Sequence, residues 1–249
     1  MRRHWHPGQH IAVFNPTGGG KSYLVVEGLL RFPVIEHARV LMIDDKGNDQ
    51  STRVWGQAAD RYPPGRGARA VFGRDRQVPE HYRLVVPDWH WTPQSERHRD
   101  PATEFARSVV ADSVQAFYDE AQDPTDPESA RNARASVLVI DELYSLVDRR
   151  PPSLDLAPLV MNVLRRGRYR ALSVICLSQM PVWIPNEVYS QTTHLYLGGM
   201  QDQHYRERLR EIGGNTEEIE VGLTQLRGHE FLFLGDKGRT MMITEVGRE

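Results

Sequence analysis

Short apolar runs alternate with stretches of helical spacing along most of the chain. Ile11-Ala12-Val13-Phe14, Val40-Leu41-Met42-Ile43, Val137-Leu138-Val139-Ile140 and Val174-Ile175-Cys176-Leu177 are unbroken apolar blocks of strand length. Blocks of that kind fit strands buried on both faces, the habit of parallel sheets. Between 101 and 122 the apolar positions Phe105, Val109, Val110, Val114, Phe117 and Tyr118 follow helical spacing, and Asp123-Pro124-Thr125-Asp126-Pro127 stops the helix. Further helices are expected around Leu156 to Arg166, over 201–212 and over 215–226, the last two separated by Gly213-Gly214. Shorter strands are expected at Arg83-Leu84-Val85-Val86 and at His194 to Leu197. The C-terminus reads as a hairpin, Glu230 to Leu234 and Thr240 to Thr244 around Gly235-Asp236-Lys237-Gly238. The expected fold is α/β, a mostly parallel central sheet covered by helices on both faces and closed by a C-terminal β-hairpin. Residues 1–249 read as a single domain in which about 60–136 is an inserted or variable region.

The first apolar block runs directly into Asn15-Pro16-Thr17-Gly18-Gly19-Gly20-Lys21-Ser22-Tyr23. That order is strand, glycine-rich loop and helix start, the arrangement of a phosphate loop. Consecutive glycines let backbone N–H groups turn inward as a nest for a polyphosphate, and the helix start adds further donors. Lys21 then reaches the β- and γ-phosphates of a nucleoside triphosphate such as ATP, and Ser22 ligates Mg²⁺. Asn15 stands where the pattern G-x-x-x-x-G-K-[ST] has glycine; asparagine tolerates left-handed backbone, so the departure is expected to be mild.

A second apolar block ends in Asp141-Glu142. Acids at the carboxyl end of a buried strand lie where open α/β sheets bind ligands. Asp141 is expected to hold Mg²⁺ and Glu142 to polarise the attacking water, which marks a hydrolase. The strand through Cys176 ends in Ser178-Gln179, and the amide of Gln179 suits a sensor of the γ-phosphate. Before it lies Leu164-Arg165-Arg166-Gly167-Arg168-Tyr169-Arg170. These arginines fit two readings equally: charges complementing a helix C-terminus, or an arginine finger for a neighbouring subunit's γ-phosphate, with Arg168 and Arg166 the first choices.

Together the glycine loop, Asp44-Asp45-Lys46-Gly47, the Asp141-Glu142 strand, Arg166-Gly167-Arg168, Ser178-Gln179-Met180-Pro181 and the closing hairpin resemble the FtsK/HerA branch of RecA-like (ASCE) P-loop ATPases. The resemblance spans roughly residues 8–246. It implies a homo-oligomeric ring around double-stranded DNA, gripped without regard to sequence, with ATP sites between subunits. A motor domain of this size is most similar to viral genome-packaging ATPases. That implies a capsid or portal vertex protein as partner and a location in the host cytoplasm or at the packaging vertex. A conjugation or plasmid DNA-transfer ATPase is the alternative, and a P-loop small-molecule kinase a third reading.

Composition narrows the picture further. The chain is 39% hydrophobic and 26% charged with a net charge of −2, which suits a globular core and excludes a uniformly basic DNA-coating protein. No apolar stretch approaches the roughly eighteen residues of a membrane span, so no membrane insertion by this chain is expected. The single cysteine, Cys176, is expected to be buried and inert in a reducing cytosol. Only Lys21, Lys46 and Lys237 are lysines among the 31 basic residues. Arg61 to Arg69 with Arg74 and Arg76 reads first as a solvated loop and second as a lumen contact to DNA phosphates. Arg206, Arg208 and Arg210 alternate with Glu207 and Glu211 and are expected to lace an exposed helix with ion pairs. His4, His6 and His10 lack acidic or thiol partners at ligand spacing, and Trp89 and Trp91 read as a packed edge.

Overall fold

The computed structural model describes residues 5–30, 38–44, 60–62, 82–85, 101–121, 135–148, 153–213, 216–235 and 240–245. Nine strands form one sheet: β1 (His10–Phe14), β2 (Arg39–Asp44), β3 (Asp60–Tyr62), β4 (Tyr82–Val85), β5 (Ser136–Asp141), β6 (Leu172–Ser178), β7 (Thr192–Leu197), β8 (Glu230–Gly235) and β9 (Thr240–Glu245). Their order is β3-β4-β2-β5-β6-β1-β7-β8-β9. Pairing is parallel from β3 through to β7, and β8 and β9 add an antiparallel hairpin at one edge. The mostly parallel sheet and the terminal hairpin are those expected from the apolar blocks.

β1, β5 and β6 are buried along their whole length, so both faces need cover. Alternate residues feed two separate cores. Ala12, Phe14, Leu138, Ile140, Val174 and Cys176 face one core, and Ile11, Val13, Val137, Val139, Ile175 and Leu177 face the other. The helices are α1 (Lys21–Tyr23, continued by a π-helical run Leu24–Leu29), α2 (Pro101–Asp119), α3 (Leu143–Val147), α4 (Ala157–Arg166), α5 (Asn186–Gln191), α6 (Gln203–Gly213) and α7 (Thr216–Gln225). α2, α3, α4 and α7 supply the first core, and α1 with Trp5 covers the second. Cys176 lies in the first core, where burial pushes its thiol up to about 12.

Several local expectations change. Phe105, counted in the apolar stripe of α2, is exposed. α3 and α5 are too short for periodicity to reveal and went unanticipated. Within the region read as inserted or variable, β4 pairs with β2 and β3 extends the sheet beyond it. Arg61 and Tyr62 therefore sit in a strand, not a loop. Arg206 pairs with Glu220 of α7, and Arg208 donates to Asn186 and lies over the Tyr189 ring. These are contacts between elements; the side chains of Arg210 and Glu211, which the expected ion pairs also involve, lie outside the described residues. His10 is buried among backbone partners, as described below. The expectations for Asp45 to Gly47, 63–69, Arg74, Arg76, Trp89, His90, Trp91, His4, the side chain of Arg210 and the hairpin turn 236–238 fall outside the described residues.

Candidate nucleotide site

The loop after β1 turns through Gly18 at φ 75° and Gly20 at φ 85°, conformations that a side chain would strain. Asn15 keeps to the ordinary side of φ, so tolerance of left-handed backbone is not why it is accepted here. Its side chain supplies the reason. The amide Nδ2 donates to Gly19 O at 2.5 Å, and the group fills a slot floored by two glycines. A Cβ on Gly19 would lie 2.4 Å from Asn15 Cγ, and one on Gly198, just past β7, would lie 1.9 Å from it. Asparagine thus braces the loop from within, where glycine would leave a gap. The loop is further tied down by Gly19 N donating to Pro16 O at 3.1 Å and Asn15 N to Ser178 O at 3.3 Å.

Lys21 is buried, and its ammonium donates to Asn15 O at 2.7 Å and Pro16 O at 3.1 Å. The charge therefore sits against the carbonyls at the start of the loop. Ser22 and Tyr23 follow in the first turn of α1 and are half-buried; Pro16, Thr17 and Gly18 are exposed at the loop crest.

β6 lies between β1 and β5, which brings the loop and the acidic pair to the same end of the sheet. Asp141 closes β5 and is in register with Asp44 at the end of β2; both are buried. Glu142 is the next residue and adopts φ 63°, ψ 66°, left-handed backbone that is uncommon for a side-chain-bearing residue. The turn sends its carboxylate toward β6. Oε1 accepts from Ser178 Oγ at 2.9 Å and from Gln179 N at 3.0 Å. Gln179 in turn accepts a hydrogen bond through Oε1 from Thr17 Oγ1 at 2.5 Å. One continuous chain of contacts therefore joins the crest of the glycine loop to Gln179 and Gln179 to Glu142. The hydroxyl of Ser178 was not singled out by sequence reasoning. A serine ending an apolar strand carries no signal until the register of β5 and β6 is known.

The arginine cluster sits elsewhere. Arg166 ends α4 and Arg168 lies in the turn Gly167–Arg170, before β6 begins. A seven-residue strand therefore separates them from Gln179 at its other end, about 20 Å. Neither can reach this chain's own loop. Arg168 Nη2 donates to Gln191 O at 3.1 Å and Thr193 Oγ1 at 3.3 Å, and Arg165 pairs with Glu187. Arg166 is exposed, and no partner for it is found among the described residues. Another residue does reach the loop. The half-buried His229, immediately before β8, packs on Gly20.

The oxygen donors at this end of the sheet, the Ser22 hydroxyl and the Asp141 carboxylate, are of the hard type that suits Mg²⁺. Among the described residues no group of three or more His, Cys, Asp and Glu is placed to hold a metal. Two protein oxygens match an ion that completes its shell with waters and substrate phosphates.

No protein-family model and no curated protein matches the sequence. Solved structures do match over nearly the whole chain. The DNA-packaging ATPase B204 from Sulfolobus Turreted Icosahedral Virus is 16% identical at a TM-score of 0.59, with 97% of this chain and 98% of that chain covered. The genome packaging NTPase B204 from Sulfolobus turreted icosahedral virus 2, in complex with AMPPCP, is 15% identical at a TM-score of 0.60, covering 96% and 98%. The pCW3 conjugation coupling protein TcpA, with ATPgS, is 16% identical at a TM-score of 0.57, with 96% of this chain and 60% of that chain covered. At such identities the likeness carries the fold alone, and the fold is shared with these proteins.

Proposed function

We propose that this chain is an ATP hydrolase whose turnover moves double-stranded DNA, with packaging of a viral genome as its task. One observation carries the reading: Thr17, Gln179 and Glu142 are linked in sequence from the phosphate-loop crest to a buried carboxylate. Asn15 to Tyr23 would form the cradle, with the Lys21 ammonium, held in this structure by Asn15 O and Pro16 O, moving onto the triphosphate when it binds. Ser22 and Asp141 would hold Mg²⁺, which neutralises charge on the β- and γ-phosphates when bound. Glu142 takes the proton of the attacking water. Its Oε1 is anchored by Ser178 and Gln179, which fixes where the carboxylate stands. Gln179 sits between loop and base, placed to sense whether a γ-phosphate is present.

The position of Arg166 suits a finger supplied to the next subunit of a ring, because its own cradle lies at the far end of β6. Arg168 is held by Gln191 and Thr193 and fits the structural role better. The packaging task rests on the likeness to two viral packaging enzymes that are covered almost end to end. It brings with it a capsid or portal vertex protein as partner and a place in the host cytoplasm or at that vertex. Among the described residues no helix is long and apolar enough to cross a membrane. The likeness to a conjugation coupling protein keeps DNA transfer as the second reading. A small-molecule kinase has no use for the Gln179 and Glu142 linkage.

The test is ATP hydrolysis with and without duplex DNA across a salt series. Duplex DNA should stimulate turnover, and the stimulation should fall steeply with salt as counterions compete for phosphate contacts. Glu142→Gln should bind ATP yet lose at least about a hundredfold in turnover, and Lys21→Ala should lose binding. Near-normal turnover by Glu142→Gln would remove the catalytic assignment, and salt-insensitive turnover indifferent to DNA would remove the motor.

A further inference from the structure

The turn that leads into β8 lies against the phosphate loop, although sequence motifs do not connect the two. A Cβ built on Gly20 would sit 3.0 Å from Nδ1 and 3.5 Å from Cγ of His229. The turn is rigid: Arg227 N donates to Glu230 Oε2 at 2.8 Å, Glu230 N donates to Arg227 O at 3.0 Å, and Gly228 takes φ 53°. β8 runs antiparallel to β7, with Leu232 opposite Leu197, so its first residues return to the end of the sheet that carries the loop.

Strand order then orients the nucleotide. Thr17, Gln179 and Glu142 lie toward β6 and β5, on one side of β1, and mark the γ-phosphate end. β7 and β8 lie on the other side of β1. A triphosphate lying across the loop with its γ end toward Glu142 points its nucleoside toward β8, where His229 stands.

We infer that His229 is a nucleotide-binding residue that packs its imidazole against the nucleoside end of the bound triphosphate. The inference rests on the nucleotide reading of the site and adds the residue that tells a nucleotide from a bare polyphosphate. Gly20 belongs to the same contact, since any side chain there would push the imidazole away.

Calorimetric titration with ATP and with inorganic tripolyphosphate, both with magnesium, separates the possibilities. His229→Ala should weaken ATP binding by about tenfold, the scale of one lost aromatic contact to a base. It should leave tripolyphosphate affinity within about twofold. His229→Phe, which keeps a flat ring, should recover most of the ATP affinity. Unchanged ATP affinity in His229→Ala, or an equal loss for both ligands, overturns the inference while the phosphate loop stands. If the unsubstituted chain binds neither ligand, the nucleotide reading itself falls. Should His229→Ala fail to fold, His229→Gln carries the same comparison.

Discussion

The Asn15 amide is wedged between Gly19 and Gly198 and hydrogen-bonded to Gly19 O, so one side chain does the bracing at the base of the loop. The pairing is steric as much as polar. Gly198→Ala would place a methyl 1.9 Å from Asn15 Cγ, with the loop backbone behind it. Overpacking of that kind costs about 1–3 kcal/mol. Denaturant unfolding of Gly198→Ala should show such a loss, and adding Asn15→Gly should restore part of it by emptying the slot. An additive double mutant would show that the two positions do not compete for the space. Glu142 raises the same theme in a different form: its left-handed backbone is what turns the carboxylate back onto Ser178 and Gln179. Unfavourable backbone of this kind persists where surrounding contacts over-determine it, and it gathers at functional sites.

At the scale of elements, His10 ties three of them together. Its Nε2–H donates to Leu164 O of α4 at 2.8 Å, and Nδ1 accepts from Val174 N of β6 at 3.0 Å, which requires the neutral ring. Burial, the first cause, and the nearby Arg168 charge lower its pKa to about 4. Protonation is then favoured in the unfolded chain below about pH 6.5 and resisted in the folded one. Stability from this group is complete above that value and is lost as pH falls toward 4, by about 3 kcal/mol in all. Urea unfolding at pH 7 and at pH 4.5 should show the loss, and His10→Gln should flatten that part of the profile. Elements were legible where a long pattern repeats. The blocks of β1, β2, β5 and β6 and the stripe of α2 declared themselves because burial on a sheet or helix imposes a period. α3 and α5, of five and six residues, are shorter than two helical turns and carry no readable period. The role of Ser178 was hidden for a related reason, since cross-strand register is not written in either strand alone.

At the scale of the whole molecule, the arginines and the cradle occupy opposite ends of the sheet, so a finger can act only between subunits. On the proposed ring, Arg166→Ala should lower turnover while leaving ATP affinity near normal, because the lost charge would serve the neighbour's reaction. Mixing Arg166→Ala chains with Lys21→Ala chains should then recover part of the activity, since some interfaces join an intact cradle to an intact finger. A mixture no more active than its parts would confine each site to one chain. The sequence by itself determined the run of buried strand, glycine turn and helix start over residues 10–23, because glycine acts through local backbone. It likewise determined the parallel sheet, because continuous apolar runs must be covered on both sides. Only the tertiary structure decided what meets across that sheet. It set β6 between the loop and the acids, returned His229 to Gly20, set Gly198 beneath the Asn15 side chain and put Arg166 out of reach. Each of those depends on strand order and register, set by packing between residues far apart along the chain.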